Sequence, residues 1–324
     1  MTHLRGGHQL LVDRHTEQAA ADAEAAAAAA GVRIVDVHDV DGFEDVRVLF
    51  DAVWQPDPGD EPVTRGLLNA LVHCGNYCSA AFVGDRMVAA SMGFLGLLPE
   101  PLLHSHITAV LPDRVGSGVG RAIKLHQRWW ALQRGLQVIT WTYDPLIRRN
   151  AYFNAVKLGA LPVEYLVDFY GEMNDAINAG QGSDRLLSRW DLLQPHRSRP
   201  SSAPVRELIT VVDGIPVLSE DPRSVATEVL AADQRAAPGA GRMRLSITLP
   251  ADVEALRAAD PVTAARWRAV VRHSLGSLMD LGWRVVDVSR DQGYLMESPE
   301  PPELTAPAGA GDPVQTQYRQ GELS

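Results

Sequence analysis

Three glycines at period two, Gly116, Gly118 and Gly120, stand between two stretches of opposite periodicity. Residues 102–111 alternate and are rich enough in β-branched side chains to read as a strand, which Pro112 stops. After the glycines a helical pattern runs to about Arg134 and ends at Gly135, a residue suited to the left-handed geometry that closes helices. A strand that enters a glycine turn and leaves as a helix start makes an anion site. Glycines let several backbone N–H groups converge, and the helix dipole places about half a positive charge there.

The turn departs from two familiar phosphate loops. No Lys-Ser/Thr follows the last glycine, as a P-loop requires, and GSGVG lacks the spacing of a dinucleotide fingerprint. It resembles instead the acyl-CoA loop of the GNAT (GCN5-related) N-acyltransferases, a Gln/Arg-x-x-Gly-x-Gly/Ala run after a Val-x-Pro strand end. The match falls on Val115-Gly116-Ser117-Gly118-Val119-Gly120, with Arg121 following, after Val110-Leu111-Pro112. The Gln/Arg position holds Val115, with Arg114 one residue early.

Bulk properties narrow the class. At 324 residues the chain can bury one large or two modest cores. A net charge of −10 argues against a nucleic-acid surface, and no run of 18 apolar residues is present to span a membrane. The first residues lack the apolar core of a signal peptide, and two cysteines make no disulfide framework, so the expected location is cytoplasmic.

Residues 1–31 read as an Ala-rich leader helix, solvated by composition, stopped at Gly31. A strand follows at 32–37, then helices at 43–54 and about 63–73, separated by the loop QPDPGDEP. Segments 78–83 and 87–95 form a hairpin across Gly84-Asp85. The strand, glycine loop and helix come next, then a strand at 137–143, a helix at 147–158 and strands at 163–170 and 186–192. This order is that of the GNAT fold, so the resemblance covers 32–194. It implies an α/β (α+β) unit, a mixed, mainly antiparallel sheet flanked by helices. Residues 195–204 are a Pro/Ser linker by composition. Residues 205–296 read as a smaller accessory α/β domain with strands near 206–212 and 243–249, a helix opening at Asp260-Pro261 and a hairpin at 283–296. It is expected to fold separately and to serve dimerisation, giving a homodimer, or to cover the acceptor pocket. Residues 297–324 are expected to be disordered.

The resemblance implies that the backbone amides of Thr108 and Val110 meet the acyl carbonyl and the pantetheine arm, with Asn150 beside pantetheine. Alternation along the strand places His104, His106, Thr108 and Val110 on one face, so two imidazoles are offered as the base that takes the ammonium proton. His-x-His fourteen residues before the second glycine also resembles the arylalkylamine N-acetyltransferases. The family's tyrosine acid, four residues before the Gly of Lys157-Leu158-Gly159-Ala160, is replaced by Ala155, which leaves Tyr152 and Tyr143 as substitutes and Asp144 as a reserve base. Cys74 and Cys78 read as a buried pair rather than metal ligands, and no metal is expected. Arg148 and Arg149 offer a hold for a carboxylate or the CoA 3′-phosphate. The implied activity is N-acyl transfer from acetyl-CoA, or another acyl-CoA such as succinyl-CoA, to a small-molecule amine or amino acid by direct attack in a ternary complex. The alternative is a CoA-binding regulatory or scaffolding module without chemistry.

Overall fold

The computed structural model describes residues 2–97, 99–171, 182–194, 204–233 and 243–299, with residues 2–9 as backbone only. The first half runs α1 (Thr2–Ala30), β1 (Arg33–Asp36), α2 (Val40–Trp54), α3 (Arg65–His73), β2 (Tyr77–Val83), β3 (Arg86–Gly96), β4 (Leu102–Val110), α4 (Val119–Gln133), β5 (Val138–Tyr143), α5 (Arg148–Tyr152), β6 (Leu161–Leu166) and β7 (Arg185–Asp191). Polar caps set two of the helix starts: Asp39 accepts from the Gly42 N–H before α2, and Thr64 from that of Leu67 before α3. The sheet order is β1-β2-β3-β4-β5-β7-β6, and every pairing is antiparallel except β4 with β5. The helix expected at 147–158 is α5 followed by a wider π-helical turn at Phe153–Leu158.

Each face of this sheet carries a helical layer. On one, Phe43, Val46, Leu49 and Phe50 of α2 and Leu68 of α3 pack on β2 and β3. On the other, α4 buries Val119, Ala122, Ile123 and Trp130 against the strands. Outside α4 lies α1, which corrects the expectation of a solvated leader. Ala19, Ala23, Ala26 and Ala30 form a buried stripe within the same core. A stripe of methyl groups lets two helix backbones approach closely, so alanines pack here without any large apolar side chain.

The second half contains β8 (Val205–Glu207), β9 (Ile209–Val212), β10 (Ile215–Leu218), α6 (Pro222–Asp233), β11 (Arg244–Thr248), α7 (Val253–Ala259), α8 (Pro261–Val271), α9 (Ser277–Asp280), β12 (Arg284–Val288) and β13 (Gly293–Glu297). Four strands pair in the order β12-β13-β11-β8, and β9 with β10 makes a separate hairpin. The single strand expected at 206–212 is thus two, and α6, α7 and β10 were not anticipated. The expected tail starts too early, because Glu297 closes β13 against Arg244 and Ser298 is buried. The linker residues 195–203 and the tail from 300 lie outside the described residues.

The two halves share one buried cluster. Tyr143, Leu146, Ala151, Ala155 and Leu186 of the first pack with Leu245, Ile247, Trp267, Leu275, Trp283 and Tyr294 of the second. The Tyr294 hydroxyl donates to Pro145 O at 2.8 Å. Asp144, just past β5, is buried and accepts from Arg268 at 2.9 and 2.7 Å and from Arg257 at 2.5 Å. Asp184 receives Arg272 and the Tyr165 hydroxyl. The second half is therefore joined to the first through a shared buried core. Burial would raise the Asp144 carboxyl, but the Arg268 hydrogen bonds and both guanidinium charges outweigh it and hold it below the ordinary Asp range. Removing that charge takes from two buried arginines the carboxylate they share. Asp144→Asn should cost roughly 3–5 kcal/mol, read as a lower urea midpoint at unchanged slope. A change below about 1 kcal/mol would show that the pair does not join the halves.

Candidate functional site

The site is organised by one irregularity in β4. Its register with β3 runs Val110, Ala109, Thr108 and Ile107 against Ala89, Ala90, Ser91 and Met92, then shifts so that His104 faces Phe94. The extra residue is a β-bulge, which reverses side-chain parity along the strand. Gly93 lies opposite it: a Cβ there would stand 2.7 Å from His104 O, so only glycine permits the approach. Below the bulge, Leu103 and Ser105 face α4; above it, Thr108 and Val110 do. His104 and His106 lie on the opposite face, against Phe94. The expectation that both histidines share a face with Thr108 and Val110 is corrected accordingly, because simple alternation cannot see a bulge.

Between β4 and β5 the sheet opens. Pairing is confined to Leu103 with Ile139 and His104 with Thr140. On the other edge the Leu111 N–H donates to Val88 O. Alternation from there sends the N–H groups of Ala109 and Ile107 to β3 and turns those of Val110 and Thr108 into the open seam. At the wide end of the seam a 3₁₀ turn, Pro112–Arg114, leads into the glycine loop. Gly116 (φ +82°) and Gly118 (φ +91°) adopt the left-handed conformation that glycine favours, and Gly118 caps α4. Val115, Gly116, Ser117, Gly118 and Arg121 are exposed, whereas Val119 is buried and Gly120 half-buried. The first turn of α4 holds no acidic residue, so its dipole is unopposed there.

His104 Nδ1 lies 3.0 Å from Thr140 Oγ1, and the two imidazole centroids are 6.4 Å apart. Burial, with smaller effects from His106 and Lys124, pulls the His104 pKa down to about 4; burial also lowers that of His106. Both rings are neutral at pH 7. His106 opens onto a cavity of about 490 Å³ on the α2 side of the sheet. Ile107, Val53, Trp54 and Pro62 make its apolar wall; Thr142, Asp144, Asn150, Tyr170 and Arg185 supply polar groups, and Glu254 of α7 reaches it from the second half.

The first half of the chain has a GNAT fold. What makes it so is the sheet order, the parting of β4 from β5 and the glycine loop that follows β4. No family model matches the chain, and no curated protein sequence matches it. Solved structures similar to it include a GNAT-family acetyltransferase from Desulfovibrio desulfuricans, at 18% identity and TM-score 0.41, covering 50% of this chain and 99% of that one. The ribosomal-protein-S18-alanine N-acetyltransferase of Escherichia coli is similar at 12% identity and TM-score 0.40, over 53% and 97%. Arabidopsis thaliana Naa50, in complex with a bisubstrate analogue, is similar at 13% identity and TM-score 0.38, over 49% and 97%.

Within this GNAT fold several expected site residues fall elsewhere. Tyr143 is buried in the cluster joining the halves, its phenol raised by burial and facing the Tyr294 hydroxyl. It cannot meet a substrate without opening that core. Tyr152 packs against the same cluster, with the Lys157 ammonium 5.8 Å from its ring centroid. Asp144 is occupied by its arginines and is no base. Arg148 donates to Asp291 O, and Arg149 pairs with Glu254 at the cavity. Cys78 is buried and its thiol pushed up to about 12, again by burial first, while Cys74 is exposed, so the two are not a buried pair. Among the described residues no three His, Cys, Asp or Glu side chains come together as a metal site.

Sequence reasoning missed Tyr170, whose hydroxyl lies 3.0 Å from Thr142 Oγ1 in the cavity, and Arg185 beside it. It also missed Lys124, whose Nζ donates to Ser105 Oγ at 2.7 Å and lies 4.1 Å from the Trp141 ring centroid. A tyrosine in the turn after a strand carries no mark of a cavity in sequence, nor does a lysine inside a helical repeat. For the loop, Gly118→Glu puts a carboxylate and a strained φ where an anion would rest. It should abolish CoA binding by calorimetry while far-UV circular dichroism stays native; undiminished affinity would remove the loop from the site.

Proposed function

We propose that the protein is an N-acyltransferase that moves an acyl group from acyl-CoA to a small-molecule amine by direct attack in a ternary complex. The observation that carries this reading is the open seam: two unpaired amide directions, at Thr108 and Val110, run from a glycine-capped helix start toward a cavity edged by a neutral imidazole. Acyl-CoA, when bound, supplies an activated thioester carbonyl. The glycine loop and the α4 dipole hold the diphosphate, with Val115 through Gly120 giving backbone donors and Arg121 a nearby charge. The Thr108 N–H stabilises negative charge on the acyl oxygen, and the Val110 N–H holds the pantetheine arm, with Asn150 beside it. His106 takes the ammonium proton directly or through one water, and His104, braced by Thr140, keeps its partner ring in place. Tyr170 is the phenol placed to protonate the departing thiolate, in place of Tyr143 and Tyr152. Acetyl is the favoured donor group, since Arg148 and Arg149, the expected holds for a succinyl carboxylate, are already engaged by Asp291 O and Glu254.

A second reading, a CoA-binding regulatory or scaffolding module, is favoured by the buried Ala155 at the family's tyrosine position and the exposed Val115 at its Gln/Arg position. Thiol release from acetyl-CoA with an amine panel separates the two. CoA binding without release to any amine would select the module.

The lowered imidazoles set the pH dependence. A base with a depressed pKa is already neutral below the ordinary histidine range, so the acid limb of kcat/KM should lie below pH 6.5, once the amine's own ionisation is separated out. His106→Ala should lose roughly 10²–10⁴ in kcat at pH 7, with CoA affinity unchanged and a smaller loss at high pH, where the amine deprotonates unaided. A wild-type rate at pH 7 would eliminate His106 as the base.

A further inference from the structure

Together with its apolar side chains, α4 buries one lysine, Lys124, which is 6% exposed. Its Nζ donates to Ser105 Oγ on β4 at 2.7 Å and to Gln127 Oε1 at 3.3 Å, and lies 4.1 Å from the Trp141 ring centroid on β5. Ser105 and Trp141 come directly after His104 and Thr140, the last pair before β4 and β5 part. One ammonium therefore touches both strands at the closed end of the seam. From Gln127 the hydrogen bonds continue through Ser91 to Thr108, whose N–H is directed into the seam. The groups nearest it on β3, β4 and β5 are Ser91, Ser105 and Trp141, with Trp190 of β7 beside the last, and none carries a charge. On α4 itself His126 turns to Tyr77 and Asp36, and Arg128 to Asp22 and Leu192 O. Across the sheet, His104 feels the lysine's charge. No carboxylate meets Lys124 among the described residues, and burial draws its pKa down to about 7. A buried ammonium without a counter-charge costs stability, and packing alone would be served better by an apolar side chain of similar size.

We propose that Lys124 is a positioning residue for the acyl group, and that acyl-CoA enters the seam preferentially when this ammonium is charged. The charged form ties Ser105 to the face of Trp141, because the attraction to the ring needs the positive charge. It also places positive potential at the closed end of the seam, where it favours the partial negative charge of an acyl oxygen held by the Thr108 N–H. The ammonium is already out of water, so a ligand takes no further hydration from it and adds only this attraction. Binding should therefore stabilise the charged form and draw in a proton. That an acyl group occupies the seam rests on the acyl-transfer reading.

The test is calorimetry of acetyl-CoA binding to the full chain at pH 8, in two buffers of different ionisation enthalpy, which counts the protons taken up. At that pH the phosphates of acetyl-CoA are ionised and the His104 and His106 rings are neutral. A tenfold preference of the charged form corresponds to about 0.4 proton taken up per acetyl-CoA. Lys124→Met should abolish the uptake and lose affinity about eightfold at pH 6.5 but less than about twofold at pH 8.5. Lys124→Arg, charged at every pH used, covers the case in which the methionine variant does not fold; it should bind acetyl-CoA without uptake. Binding by the wild type without proton uptake would overturn the proposal and leave acyl transfer standing. Uptake that persists in either variant would overturn it too. A loss of affinity in Lys124→Met that is equal at both pH values would show a structural role only, with the same consequence. No binding of acetyl-CoA would remove the acyl-transfer reading, and this proposal with it.

Discussion

The geometry of this protein depends on the point where β4 leaves β5. Two parallel strands that stayed paired would satisfy the Thr108 and Val110 amides within the sheet and leave no place for a ligand. Pairing instead stops after His104 and Thr140. Unpaired backbone in a sheet interior carries a free-energy cost, commonly about 1–3 kcal/mol for each buried donor left unmade. It persists where the rest of the fold holds the strands apart. Here β4 is held on its other edge by β3 along nearly its whole length, and β5 by β7 over six residue pairs. The seam between them is stretched open by structure on both sides.

The bulge in β4 divides the labour between the two faces of the sheet. By reversing parity at residues 105–107, it sends Thr108 and Val110 to the α4 side and leaves His104 and His106 on the α2 side. The two imidazoles thus end up on the side where the cavity lies, while the α4 side is tied into a buried polar chain. That chain runs from Lys124 through Gln127 and Ser91 to Thr108. Gly93 makes the arrangement possible by carrying no side chain opposite the bulge.

The sequence made much of the scaffold legible: the glycine loop, the Gly135 stop of α4, the Gly84-Asp85 hairpin and the Asp260-Pro261 helix start are all local signals, and each is where local chemistry places it. What it concealed depends on distance in the chain. No periodicity tells that Tyr143 and Asp144 belong to a core completed by residues more than a hundred positions later, or that an alanine helix packs on α4. The bulge was hidden for a different reason, since HSHIT alternates acceptably in either register and only the pairing with β3 selects one. The candidate base was legible as a residue type and a neighbourhood, and its surroundings were not.

Lys124 shows how tightly the seam is built. Continuing the parallel register by one step would oppose Ser105 to Trp141, and those are the two side chains that Lys124 touches. Its ammonium therefore occupies the apex of the parted strands on the α4 side. No carboxylate pairs with it among the described residues, and burial pulls its pKa down to about 7. A lysine neutral in the folded state and charged in the unfolded one makes stability rise with pH between about 7 and its ordinary value. The same charge, when present, is one of the influences that lower His104 on the opposite face. A cation at the apex thus helps to keep the imidazole unprotonated through the sheet, and the separation of faces that the bulge creates is bridged by electrostatics rather than by contact.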